Sequence, residues 1–139
     1  MIQLKREDLE QMKNIAEEAY PYECCGVLVG TENSGMKIVA KVIPAENHRT
    51  DSPENRYLIT ADFMRQIEHR FRNTKSSIVG FFHSHPDVPA RPSAYDQEHA
   101  WPWYAYVIVS VQQGRAVEVY NWKLKNDRSE FDAERIDVL

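Results

Sequence analysis

The chain is 139 residues long, with 42% hydrophobic and 27% charged residues, which is the makeup of an ordinary globular protein with enough length to bury one core. A net charge of −4 gives no broad electrostatic footprint for nucleic acid. The two cysteines, Cys24 and Cys25, are adjacent and have no others to pair with, which excludes a disulfide framework and a Cys-x-x-Cys zinc knuckle. The opening "MIQLKREDLEQMKN" has no apolar core of a secretory signal, and "YAYVIVSV" is too short to span a bilayer, so the expected setting is the cytoplasm.

Taken in chain order, Leu9, Met12, Ile15, Ala16 and Ala19 recur at helical spacing and predict a helix over 6–19, with Pro21 just beyond it. "CCGVLVG" reads as a buried strand over 24–30, "NSG" as a turn and "MKIVAKVIPA" as its hairpin partner over 36–45. A polar loop covers 46–56, "YLIT" is a brief strand, and Thr60 caps a helix over 60–73 that presents Phe63, Met64, Ile67 and Phe71 on one face. "SSIVGFFHSH" is strand-like and "SAYDQEHAW" contains a short helix. "YAYVIVSV" and "RAVEVYNWKL" form a hairpin around "QQGR", and the tail adds one or two edge strands. This order describes a mixed sheet with helices packed against it, an α+β or α/β fold, in a single domain over residues 1–139.

The chemistry gathers at "GFFHSHPDVPARPSAYD". On a strand, His83 and His85 leave on the same face, where two imidazoles can share one cation. Pro86 ends the strand and two further prolines stiffen the loop. Ser93 and Asp96 stand three apart, the spacing of a helix N-cap and its N3 acid; seen alone, that reading is at least as good as a catalytic one. It leaves room for Asp96 to serve as a third ligand. Glu23, between Pro21 and the apolar strand, is the candidate proton carrier, although its position alone favours a surface acid.

Together these residues resemble the JAMM metalloprotease motif of MPN+ domains: a glutamate upstream, then His83-Ser84-His85-Pro86, then Ser93-x-x-Asp96, with seven residues between His85 and Ser93. The resemblance implies the MPN/JAMM fold, a mixed curved sheet with flanking helices similar to cytidine-deaminase-like architecture. It implies one Zn²⁺ held by His83, His85 and Asp96, with Glu23 as the base and later the acid, and Ser93 donating to the oxyanion. The implied activity is hydrolysis of a peptide or isopeptide bond at the C-terminal tail of a ubiquitin-fold protein. The shortness of the chain points to prokaryotic members that process a sulfur-carrier protein, exposing its Gly-Gly end or releasing an amino acid such as cysteine. The alternatives are a deubiquitinase-like enzyme of a bacterial ubiquitin-like conjugation pathway and a non-catalytic MPN scaffold. A dimer is open.

Other residues carry plainer expectations. Ser84 points away from the ligands as a structural residue, His48 and His69 are surface groups, and His99 is a solvated helix residue or a support for Asp96. Cys24 and Cys25 are small buried hydrophobes, Trp101 and Trp103 read as core with the alternative that one of them walls a peptide groove, and "KLKNDRSE" is a solvated turn.

Overall fold

The structure, a computed structural model, describes residues 1–47 and 59–139. Its elements are β1 (Ile2–Leu4), α1 (Arg6–Ala19), β2 (Cys25–Asn33), β3 (Met36–Ala45), α2 (Ala61–Arg70), β4 (Ser77–Pro86), α3 (Ala94–His99), β5 (Ala105–Gln112), β6 (Arg115–Leu124), β7 (Phe131–Glu134) and β8 (Ile136–Val138). The strands form one mixed sheet in the order β7-β6-β5-β4-β2-β3-β1-β8. Strand β1 pairs in parallel with both β3 and β8, and β4 pairs in parallel with β5. The remaining pairings are antiparallel.

The two edge strands, β7 and β8, are separated in sequence by Arg135 alone. One residue spans at most about 3.6 Å, so the end of one edge strand has to meet the start of the other. The sheet therefore curls strongly on itself, and the backbone N–H of Ile2 extends the β1–β8 ladder by donating at 3.0 Å to the carbonyl of Arg135, the residue that joins the two edges.

Strand alternation sorts the apolar side chains onto two faces. Leu28, Phe82, Val107 and Val109 turn to one side and pack with Leu9, Met12 and Ala16 of α1. Val27, Val29, Phe81 and Tyr106 turn to the other and pack with Ile67 of α2, with Phe63 and Met64 at the margin. Both hairpins close through two-residue turns whose central residues have positive φ, Ser34-Gly35 at 52° and 82° and Gln113-Gly114 at 49° and 86°, the twist that suits flanking strands. At Gly30 a Cβ would run into the backbone of Ile38, so only glycine lets β2 and β3 approach there.

Several elements differ from expectation. The strand β1 went unread because three residues give no period, and it exists through its parallel partners β3 and β8. Strand β2 starts at Cys25 and runs on to Asn33, three residues past Gly30. Helix α2 stops at Arg70, where the Phe71 N–H reaches back to the Ile67 carbonyl. Of the expected strand "YLIT", Ile59 and Thr60 are described and lie outside any strand, while Tyr57 and Leu58 fall outside the described residues, as does His48.

Candidate metal and catalytic site

On β4, Phe81, His83 and His85 alternate with Phe82 and Ser84. The face that buries Phe81 against α2 therefore also carries both imidazoles, which the fold seals to 1% and 5% exposure. Their Nε2 atoms lie 3.1 Å apart. Asp96 closes the triangle, with Oδ1 3.3 Å from His83 Nε2 and Oδ2 3.2 Å from His85 Nε2. Donors about 2.0–2.2 Å from a tetrahedral zinc stand roughly 3.3 Å from one another, so the separation of the two imidazole nitrogens, and of each from its nearer Asp96 oxygen, is of the size a shared zinc ion asks for. The His85 Nδ1–H can donate to the Pro89 carbonyl at 3.0 Å, which leaves Nε2 with its lone pair facing the triangle.

Protonation follows from burial. Desolvation lowers His83 below the ordinary imidazole value and keeps the ring neutral, as a ligand must be. Burial by itself would raise Asp96, but the His83 and His85 rings and the Ser93 N–H hold its carboxyl well below the usual range.

Asp96 is supplied by α3, a six-residue helix too short to form on its own. Ser93 starts it with a capping box: Ser93 Oγ accepts from the Asp96 N–H at 3.0 Å, and the Ser93 N–H donates to Asp96 Oδ2 at 2.9 Å. The capping reading of Ser93 therefore holds, and it leaves the hydroxyl proton free to donate elsewhere. At the other end, the Arg128 guanidinium donates to the carbonyls of Gln97, Glu98 and Ala100 and stacks over Trp101. "KLKNDRSE" is thus more than a solvated turn, because Arg128 neutralises the carbonyl end of the ligand-bearing helix. Nothing local in the sequence distinguished Arg128, since its partners lie about thirty residues upstream.

Glu23 enters from the segment that joins α1 to β2. It is 4% exposed, and with His83 and His85 it forms a group whose ligand atoms all lie within 4.8 Å. The expectation of a surface acid from position alone is corrected: pairing of Cys25 with His83 brings the start of β2 onto the histidine strand and buries its neighbour. Burial, and secondarily the Asp96 charge, push the Glu23 carboxyl up to about 9. Its Oε1 is buried with no hydrogen-bond partner among the described residues. An acid left in this condition beside two imidazoles and an ionised aspartate fits a place for a cation, whose charge would restore the carboxylate.

Ser84 faces away from the ligands as expected, but it is not idle. Its Oγ accepts the Cys24 N–H at 2.8 Å, and its own N–H donates to the Cys24 carbonyl at 3.1 Å. Cys24 and Cys25 are buried, and desolvation pushes their thiols up to about 11 and about 12, which makes them inert. His99 is exposed; its ring stacks on Tyr95 and bonds to the Tyr95 carbonyl, so it serves its own helix. Trp101 and Trp103 are corrected from core to surface. They are 52% and 59% exposed and stack on each other, because Tyr104 and Tyr106 already fill the space around Phe81. Trp101 and His99 join Ile59, Met64, Phe81, Tyr95 and Tyr106 in lining a largely apolar recess of about 210 Å³, as the groove-wall alternative for one tryptophan expected.

The fold and the site together define an α+β domain that carries a His-His-carboxylate cluster at the end of a central strand. Residues 5–125 match the model of the prokaryotic homologs of the JAB domain, and the chain belongs to that family. It is 36% identical over 91 residues to a desampylase of Haloferax volcanii, an alignment covering 65% of this chain and 63% of that relative, so it spans under two thirds of the relative's length. A solution structure of a protein from Desulfitobacterium hafniense is 31% identical, with a TM-score of 0.85 over 100% of this chain and 93% of the other. Two more distant structures share the fold at 16% identity: a JAB1/MPN domain protein from Archaeoglobus fulgidus, TM-score 0.63 over 99% and 98% of the two chains, and a structure described as JAMM, a metalloprotease-like zinc site in the proteasome and signalosome, TM-score 0.60 over 100% and 98%. The architecture is thus the JAMM/MPN fold.

Proposed function

We propose that residues 1–139 form one zinc-dependent peptidase or isopeptidase domain that cleaves after the C-terminal tail of a ubiquitin-fold protein. The observation that carries the reading is the cluster of 3.1–3.3 Å contacts among His83, His85 and Asp96, with the buried Glu23 beside it whose Oε1 has no partner among the described residues. Those three side chains would hold zinc, and when bound it supplies a Lewis acid that polarises the scissile carbonyl and makes a water nucleophilic near neutral pH. Glu23 takes a proton from the attacking water and returns it to the departing nitrogen. Ser93, whose Oγ accepts from α3, donates its hydroxyl proton to the oxygen that gains charge as the carbonyl becomes tetrahedral. The recess under Trp101 opens beside α3 and would seat an apolar side chain of an extended tail.

Similarity to a desampylase favours release of a ubiquitin-like modifier from a lysine. The sulfur-carrier reading draws its support from the brevity of the site: seven residues join His85 to Ser93, leaving no insertion to grip a second folded partner. The two free thiols suit a cytoplasmic setting. The test is hydrolysis of two substrates by the zinc-loaded protein: a ubiquitin-fold carrier extended past Gly-Gly by a peptide, and the same carrier joined to a lysine side chain. Cleavage of either, abolished in Glu23→Gln with zinc retained, supports the hydrolase and ranks the leaving groups. Binding of the carrier without turnover would replace the enzyme with a scaffold.

A further inference from the structure

The proton carrier of the proposed reaction is not held by its tip. Glu23 Oε1 has no hydrogen-bond partner among the described residues, so the position of the carboxyl is imposed through its backbone. That backbone belongs to residues 20–24, which lie between Ala19, the end of α1, and Cys25, the start of β2, and form neither helix nor strand. Downstream the segment is fixed to the histidine strand by the paired Ser84 and Cys24 bonds, and Asn47 Nδ2 donates to the Glu23 carbonyl at 3.1 Å.

Upstream the segment is held by the Tyr22 N–H, which donates to the Ala19 carbonyl at 2.9 Å, and by one side chain that crosses to the histidine strand. Tyr20 Oη donates to Asp87 Oδ2 at 2.6 Å, a short bond of the kind an ionised acceptor makes. Asp87 is itself rigidly mounted. Its Oδ1 accepts the Gln113 N–H at 2.8 Å, its own N–H donates to the Val111 carbonyl at 2.7 Å, and its backbone sits at φ 59°, a left-handed conformation that aspartate tolerates. The Tyr20 ring packs against the core on the α1 side, which makes it a stiff lever. Asp87 follows His85 by two residues and Tyr20 precedes Glu23 by three, so this bond ties the strand that carries the imidazoles to the segment that carries the base.

We propose that Tyr20 and Asp87 form a latch that sets the position of Glu23 relative to His83 and His85, making both of them positioning residues for the hydrolysis. Neither touches the reacting atoms. The inference rests on the function proposed above, and its test includes a readout that needs no turnover. Tyr20→Phe keeps the packed ring and removes only the hydroxyl. Asp87→Asn keeps an oxygen for the Gln113 N–H while losing the charge that Tyr20 meets.

The first measurement is hydrogen exchange of the zinc-loaded protein under native conditions, followed peptide by peptide. Tyr20→Phe speeds exchange of the Tyr22, Glu23 and Cys24 amides about tenfold, Asp87→Asn does so less, and both leave the 78–83 amides of β4 unchanged. The second is steady-state hydrolysis of the extended carrier. Here kcat falls about tenfold in Tyr20→Phe with KM and zinc content kept, less in Asp87→Asn, whose amide can still donate to the Tyr20 oxygen, and the double variant falls no further than Tyr20→Phe, because both changes act on the same bond. Unchanged exchange at Tyr22, Glu23 and Cys24 in Tyr20→Phe, kcat of that variant within twofold of the parent, or losses that multiply in the double variant would each overturn the latch. A parent protein that cleaves nothing would remove the proposed function while the exchange result still decides whether the latch exists.

Discussion

Ser84→Ala isolates the tie that joins the histidine strand to the Glu23 segment. The side chain is fully buried, and its Oγ is the acceptor for the Cys24 N–H at 2.8 Å. Alanine removes one oxygen atom and leaves no space large enough for water, so the transfer and cavity contributions are small. The Cys24 N–H becomes a buried donor without an acceptor, which costs about 1–3 kcal/mol. With an unfolding entropy of about 2.1 cal/mol/K per residue near 60 °C, a chain of this length loses roughly 3–4 °C of Tm per kcal/mol, so a fall of about 3–10 °C is expected. Urea melts give the free energy, and calorimetry gives the Tm. Ser110→Ala is the matched control: that hydroxyl is equally buried and donates to the Val88 carbonyl at 2.6 Å, but Gln112 Nε2 also reaches that carbonyl at 3.4 Å. Its loss should be the smaller. A destabilisation by Ser84→Ala below about 0.5 kcal/mol, or one no larger than that of Ser110→Ala, would refute the claim that the Cys24 N–H depends on this oxygen.

Further outcomes follow from the same geometry. In chelator-treated protein, a Glu23 carboxyl raised to about 9 in the fold, against an ordinary value near 4.5, holds its proton longer folded than unfolded. The Glu23 contribution to stability is therefore fully present below about 4.5 and declines as pH rises toward 9, by on the order of a few kcal/mol across the window; urea melts at pH 7, 8 and 9, above the range where His83 and Asp96 act, should show a fall in the parent that flattens in Glu23→Gln, and equal slopes would refute the buried-acid assignment. Elemental analysis should find one zinc per chain in the parent and little in His83→Ala, His85→Ala or Asp96→Ala, whereas full occupancy in Asp96→Ala would reduce that residue to a helix cap. Arg128→Ala frees the carbonyl end of α3, and a zinc-competition titration should show metal affinity weakened by about tenfold, comparable to losing an outer-shell support; an unchanged affinity would show that the capping box alone positions Asp96. Ser93→Ala should cost about 1 kcal/mol as a lost cap and lower kcat by about 10²-fold as a lost oxyanion donor. A stability loss with normal kcat would leave Ser93 a cap and nothing more.

Much of this protein is legible along the chain because the deciding interactions are local. The period-2 pattern through "IVGFFHSH" places His83 and His85 on one face regardless of what packs there, and the Ser93–Asp96 spacing writes a capping box into four consecutive residues. Periodicity likewise predicts α1 with the boundaries observed, and the "NSG" and "QQGR" turns place both hairpins. What tertiary structure alone decides is long-range. The three residues of β1 become a strand only when β3 and β8 lie beside them, and the tail splits between opposite sheet edges only because the sheet curls until those edges meet. Glu23 reads as a surface acid until Cys25 pairs with His83 across nearly sixty residues of sequence and desolvates it. Trp101 and Trp103 read as core because they are large and apolar, yet the volume around Phe81 is already taken by Tyr104 and Tyr106. The supports given by Ser84, Arg128, Tyr20 and Asp87 join residues roughly thirty to seventy positions apart. The sequence determined which residues could do chemistry; burial and register, which no local pattern encodes, decided their protonation and their places.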